Sequence, residues 1–290
     1  MRYHHVALCV CLLAAAVPVQ AQKKDDAPPK PAVAPFDAKQ AEEHQKAWAK
    51  HLGVRVKTRN SIGMDLMLIP PGEFLMGSPA FEDGRQANET QHKVTLTKPF
   101  FMGITEVTQL QFFRVLRKNP SKFKAVEHPV EQVTWEDAVE FCARLSDLPA
   151  EKRVGRVYRL PTEAEWAYAC RAGTKTAYSF GDSKSELGDY AWYDKNSENT
   201  THPVGQKKLN PWGLYDMHGN VWEWCQDWYG DYPGGKLTDP TEPSSGSYRV
   251  CRGGSWRNYS EGCRSALRFR RTPGSWAYFL GFRVLRSSIK

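Results

Sequence analysis

Apolar positions run unbroken from Val6 to about Val17 behind a single positive residue, Arg2. The run is shorter than the roughly 20 residues that span a bilayer, and no later stretch is apolar enough to span one. Val19-Gln20-Ala21 resembles a small-x-small cleavage site, so residues 1–21 read as a secretory signal peptide. Cys9 and Cys11 lie inside the run rather than at a cleavage point, which argues against a lipid anchor. Residues 22–37 are charged, then rich in Pro and Ala, and read as a disordered tether. Residues 38–53 follow as a short helix, with Asp37 as N-cap and Gly53 as its stop.

A main domain is expected over residues 61–286. Met64–Ile69 reads as a strand turned by Pro70-Pro71-Gly72, and Phe74–Met76 and His92–Leu96 continue the pattern. Helices are expected over 106–116 behind Thr105, over 135–146 behind Thr134, and over 162–171. In the last, Thr162 caps and Glu165 stands three residues on as its capping-box partner. From Ala172 to Tyr248 the periodicity stops among Gly, Asn, Pro and Trp. Strands resume at Tyr248–Cys251 and Leu280–Leu285, with 65–69 and 280–285 expected in one core sheet. There is no internal repeat. The order is that of an α+β fold with little regular secondary structure.

Ten Trp, 12 Tyr and 13 Phe beside 22 Gly and 19 Pro agree with a loop-rich fold held by aromatic clusters. Export implies an oxidising compartment for Cys142, Cys170, Cys225, Cys251 and Cys263. Five is odd, so at least one stays unpaired or pairs outside the chain. The net charge of +8 is uneven: from Arg249 on there are nine Arg and one Lys against Glu261 alone. Such a segment could attract nucleic acid, which export argues against, or an anionic glycan or membrane surface. The favoured reading is structural, with Arg forks tying loops through carbonyls and carboxylates.

Several strings, in order, resemble the formylglycine-generating enzyme (sulfatase-modifying factor) family. They are Met67-Leu-Ile-Pro-Pro-Gly-Glu-Phe-Leu-Met-Gly-Ser78, Thr105-Glu-Val-Thr-Gln109, Pro129 to Ala138, Arg159-Leu-Pro-Thr-Glu-Ala-Glu-Trp-Ala-Tyr168, Asn210 to Trp224, Arg252-Gly-Gly-Ser-Trp256 and Leu280-Gly-Phe-Arg283. The resemblance implies an elaborated C-type-lectin-like fold and oxidation of a sulfatase cysteine to formylglycine by copper held between two cysteines. It places the second copper position on Cys263 and the first on Asn258, whose amide is a poor ligand for copper(I). Ser255 and Trp222 match positions near the active cleft. Cys251 or Cys225 would be the substitute thiol, against a disulfide or simple burial for Cys263. Cys142 and Cys170 match disulfide positions whose partners here are Val284 and Arg268, so the family's bridges cannot form.

The resemblance also implies calcium at Asp216, Gly219, Val221 and Glu223, two carboxylates and two carbonyls of the hard-donor type calcium takes. His218 in the same loop reads as a hydrogen-bonding residue, and no His cluster suits iron. Two functions remain open. One is an exported member of the family, divergent or inactive at copper, with a sulfatase as its substrate class. The other is a non-catalytic C-type-lectin-like module for a protein or glycan ligand, its hot-spot residues lying between Trp256 and Phe279.

Overall fold

The computed structural model describes Met1 and residues 27–241 and 243–287, so the expected signal peptide, beyond Met1, lies outside the described residues. Helix starts follow local chemistry. Asp37 caps α1 (Ala38–Leu52), which ends on Gly53 in the left-handed conformation. Thr134 caps α3 (Trp135–Asp147), and Thr162 caps α5 (Glu163–Arg171) with Glu165 completing the expected capping box. The helix α2 is Gln109–Leu116, capped by Thr108 rather than Thr105. The reason is tertiary. Val107 N–H donates to Phe282 O and Val107 O accepts from Val130 N–H, so residues before Thr108 are held extended in the core.

Three sheets carry the domain. In the first, β1 (Ala32–Val33) runs parallel to β4 (Gly72–Met76), followed by β5 (His92–Leu96) and β9 (Lys236–Thr238). The second has five strands: β2 (Lys57–Arg59), β3 (Asp65–Ile69), β6 (Phe100–Gly103), β13 (Leu285–Arg286) and β7 (Tyr158–Arg159). The third has β11 (Phe269–Arg271), β10 (Arg249–Arg252), β8 (Trp222–Trp228) and β12 (Leu280–Gly281).

Two expectations are thereby corrected. The expected tether is packed from about Lys30 onward: Ala32 is fully buried and pairs with Gly72, and Phe36 is buried against Trp212 at 5.0 Å. Gly72 is required there, because a Cβ would strike the Ala32 carbonyl and the Tyr168 hydroxyl. Pro-rich composition describes a chain without partners, and β4 supplies one. Likewise α1 is not a separate segment. Gln45 Nε2 donates to Leu68 O at 2.8 Å and to Trp212 O at 3.1 Å, and β2 pairs with β3, so the fold starts well before residue 61.

The segment 280–285 does not form one strand beside 65–69. Leu280–Gly281 pairs parallel to Trp222–Glu223, whereas Leu285–Arg286 pairs with β6 and β7. The chain changes sheets at Phe282–Val284, and Arg283 stands at the crossing. Its guanidinium is fully buried, forks onto Glu223 at 2.7 Å through both nitrogens, and donates to Gly103 O and Tyr215 O at 3.0 Å.

Other buried arginines repeat this pattern, as expected. Arg264 forks onto Glu89 (2.7 and 2.8 Å), Arg268 onto Glu163 (2.7 and 2.8 Å), and Arg252 donates to the carbonyls of Ser265, Ala266 and Leu267. Glu163 also lies near Asp227, whose Oδ2 accepts Glu163 N–H at 2.7 Å. Burial first, then the Glu163 charge, pushes the Asp227 carboxyl up to about 8. An acid raised in the folded state is neutral there but ionised in the unfolded chain between about pH 4 and pH 8, so its contribution is present below pH 4 and lost as pH rises to 8. Asp227→Asn is therefore expected to stabilise the protein at pH 9 by on the order of 3 kcal/mol and to change little at pH 4. Urea unfolding at both pH values measures this.

Candidate functional site

The turn after β10 and the start of β8 bring Ser255, Trp222 and Asn258 together. Asn258 Oδ1 accepts from the Trp222 indole N–H at 3.0 Å and from the Ser255 hydroxyl at 2.6 Å. Ser255 is fully buried and Trp222 nearly so, with Trp222 tilted against Phe269 at 5.0 Å. Both lone-pair directions of the Asn258 carbonyl oxygen are thus engaged. Gly254 permits this packing: it has φ +75°, and a Cβ there would sit 2.9 Å from Cys263 Sγ.

Cys263 closes a short 3-10 turn, Ser260–Cys263, behind that cluster. It is fully buried, and burial first, then the Asp194 charge, pushes its thiol well above the ordinary range. The residues at this position do not fit copper(I). One expected ligand position holds an amide already hydrogen-bonded, which leaves a single thiol, Cys263, where the resemblance implies two. Neither suggested substitute stands with it: Cys251, Cys225 and Cys263 belong to three different core clusters. Among the described residues no disulfide joins the five cysteines, all of which are buried.

His218 behaves as a loop hydrogen-bonder. Its Nε2 accepts from the Ser179 N–H (3.1 Å) and hydroxyl (2.9 Å), which leaves Nδ1 to donate to Cys263 O at 2.9 Å. Burial pushes its pKa down to about 4, so the ring is neutral at pH 7.

The expected calcium carboxylates enter a buried charge cluster. Asp216 adopts a left-handed conformation, φ 61°, and its Oδ2 accepts Gly205 N–H at 2.7 Å, while Oδ1 has no partner. Glu223 is engaged by the Arg283 fork and by the Trp166 indole N–H at 2.7 Å. Sequence reasoning missed the third acid, Glu106. It is fully buried and neither of its oxygens has a partner. Its signal was present inside the string Thr105-Glu-Val-Thr-Gln109. Burial, then Asp216 and Glu223, raises the Glu106 carboxyl well above its ordinary value. Arg283 is the cation that faces these three carboxylates. Among the described residues no group of three or more His, Cys, Asp or Glu converges in metal-holding geometry. Glu223 is directed at Arg283, while the raised Glu106 carboxyl faces Asp216 and, once protonated, hydrogen-bonds to it.

The sheets, the long irregular middle and this loop-borne site define a C-type-lectin-like domain of the formylglycine-generating enzyme type. The sulfatase-modifying factor enzyme 1-like domain matches residues 53–288, and the chain belongs to that family. It is similar to the chaperone protein LppX of Paenibacillus barcinonensis, 33% identical over 68% of this chain and 80% of that protein. It is similar to the formylglycine-generating enzyme of Mus musculus, 37% identical over 54% of this chain and 43% of that enzyme. Among solved structures, the Treponema denticola variable protein 1 superposes with a TM-score of 0.73 at 31% identity, over 81% of this chain and all of that one. Among the described residues no helix is long and apolar enough to cross a membrane.

Glu223→Gln leaves the Arg283 guanidinium buried without its counter-charge. It is expected to destabilise the fold by about 3–5 kcal/mol, read as a lower denaturant midpoint.

Proposed function

We propose that this chain is an exported, non-oxidising member of the family that acts by binding a partner. One observation carries the reading: the Asn258 amide is closed over by Trp222 and Ser255, at the position where the family resemblance implies the first copper thiol. The full burial of Cys263 supports it. A relative that is a chaperone protein is in keeping with a role in binding rather than oxidation. Ser255 and Trp222 serve here as hydrogen-bond donors that hold the loop, with no reacting atom to address.

Calcium is proposed as a structural ligand of Asp216 with the carbonyls of Gly219 and Val221, while Glu223, the fourth position that the resemblance implies, is held by Arg283. The unpartnered Asp216 Oδ1 supports it. Bound calcium would supply positive charge to a cluster otherwise faced by Arg283. A cation bound only to the folded state stabilises it, so chelation is expected to lower the melting temperature by several degrees, and excess calcium to restore it. An unchanged melting temperature would remove calcium from the account.

For the oxidase question the assay is turnover of a sulfatase-derived cysteine peptide with copper, oxygen and reductant. The expected outcome is no turnover above the rate without protein. Robust turnover that Cys263→Ala abolishes would restore the oxidase reading. Asn258→Cys is expected to raise copper(I) affinity roughly tenfold or more in a competition titration, because a thiolate then replaces an amide.

A further inference from the structure

The basic C-terminal third divides into two sets. Arg252, Arg264, Arg268 and Arg283 are buried and engaged, as described above. Arg249 lies between Trp135 and Trp228, and Arg286 over Phe101. Arg257 and Arg271 do not fit this pattern of burial on carboxylates and carbonyls. Arg257 is exposed, lies 5.7 Å over Tyr278 and 5.0 Å over Phe279, and donates to the Tyr278 hydroxyl at 3.0 Å. Arg271 lies 5.3 Å over Phe279 and 5.4 Å over Phe269, and its Nε has no hydrogen-bond partner. A third cation arrives from a distant part of the chain: Lys122, exposed, stands 4.6 Å over Tyr278 and 5.4 Å over Phe123. Among the described residues none of the three has a carboxylate partner.

The rings beneath them are continuous. Phe123 meets Trp256 at 5.7 Å, Trp256 meets Tyr278 at 5.8 Å, and Tyr278 meets Phe279 at 5.4 Å. Through Phe269 the same surface reaches Trp222, and so the Asn258 cluster. Tyr259, next in the chain, is 74% exposed.

We propose that this face is the docking surface for an acidic segment of a partner protein, and that Lys122, Arg257 and Arg271 receive its Asp or Glu side chains. This rests on the binding reading above. Charge complementarity argues for it. A cation held over a ring by the ring's quadrupole is positioned without being neutralised, so a carboxylate gains a preorganised partner. Aromatic and Arg side chains are the types that dominate the energetics of protein interfaces. A sugar would need a converging set of neutral donors and acceptors. The amide oxygen best placed to supply one, Asn258 Oδ1, is engaged by Trp222 and Ser255.

The test uses the full chain and a short fluorescein-labelled peptide alternating Glu and Tyr, read by anisotropy, with a Lys/Tyr peptide as counterpart. Saturable binding of the acidic peptide is expected, weakened by added salt. Arg257→Glu, Arg271→Glu and Lys122→Glu should each weaken it by roughly tenfold or more. Lys122 and Arg257 are exposed and Arg271 half-buried, so the melting temperature of each variant is measured beside binding, and an unchanged value verifies the fold. Lys39→Glu, on exposed α1, should change binding little. Equal binding of both peptides, or acidic-peptide binding indifferent to all three reversals, would overturn the proposal. So would heparin binding lost on the same reversals without any acidic-peptide binding, since the face would then serve a sulfated glycan. None of these results restores oxidation, which the turnover assay alone decides.

Discussion

Arg283 sits where the chain passes from one sheet to another, and its guanidinium is fully enclosed by protein. Burying an unpaired cation is prohibitive, so the position exists only because Glu223 and two carbonyls arrive from β8, the end of β6 and the Tyr215 loop. Each partner lies far away in sequence. The pair therefore forms only when the two sheets and the irregular middle have taken their places together. The same requirement places Glu106 and Asp216 beside Glu223 and joins three buried acids around one cation.

The arginines show how one residue type serves two ends. In the interior the planar fork matches a carboxylate or a set of carbonyls, and the loops it ties gain order without hydrogen-bonded ladders. That is how a chain with long stretches of irregular backbone keeps a defined surface. At the aromatic face the same group rests over rings and remains available to an outside anion. Burial separates the two uses: Arg252 and Arg283 are fully buried, while Arg257 is exposed.

The site at Asn258 joins these themes. The family scaffold is retained down to the glycine, Gly254, that packs against Cys263, and Trp222 and Ser255 are both present. The amide at 258 forms a closed hydrogen-bond network with Trp222 and Ser255 and becomes part of the wall beneath an aromatic surface.

Helix starts at Asp37, Thr134 and Thr162 were legible because a cap and its partner three residues on lie in one turn of chain. The fold family was legible because its strings are short and contiguous. The start at Thr108 was not, since a hydrogen bond to Phe282 overrides the local signal at Thr105. Nor was the packing of Ala32 to Phe36, which depends on an edge offered by Gly72. The division of 280–285 between two sheets, the unpartnered oxygens of Glu106 and the joining of Lys122 to Arg257 on Tyr278 all bring together residues distant in sequence. Sequence by itself determined the local elements, the family and the amide at position 258. Only the tertiary structure decided which buried charges meet and which cations stay open, because partnership between side chains is set by three-dimensional closure and not by spacing along the chain.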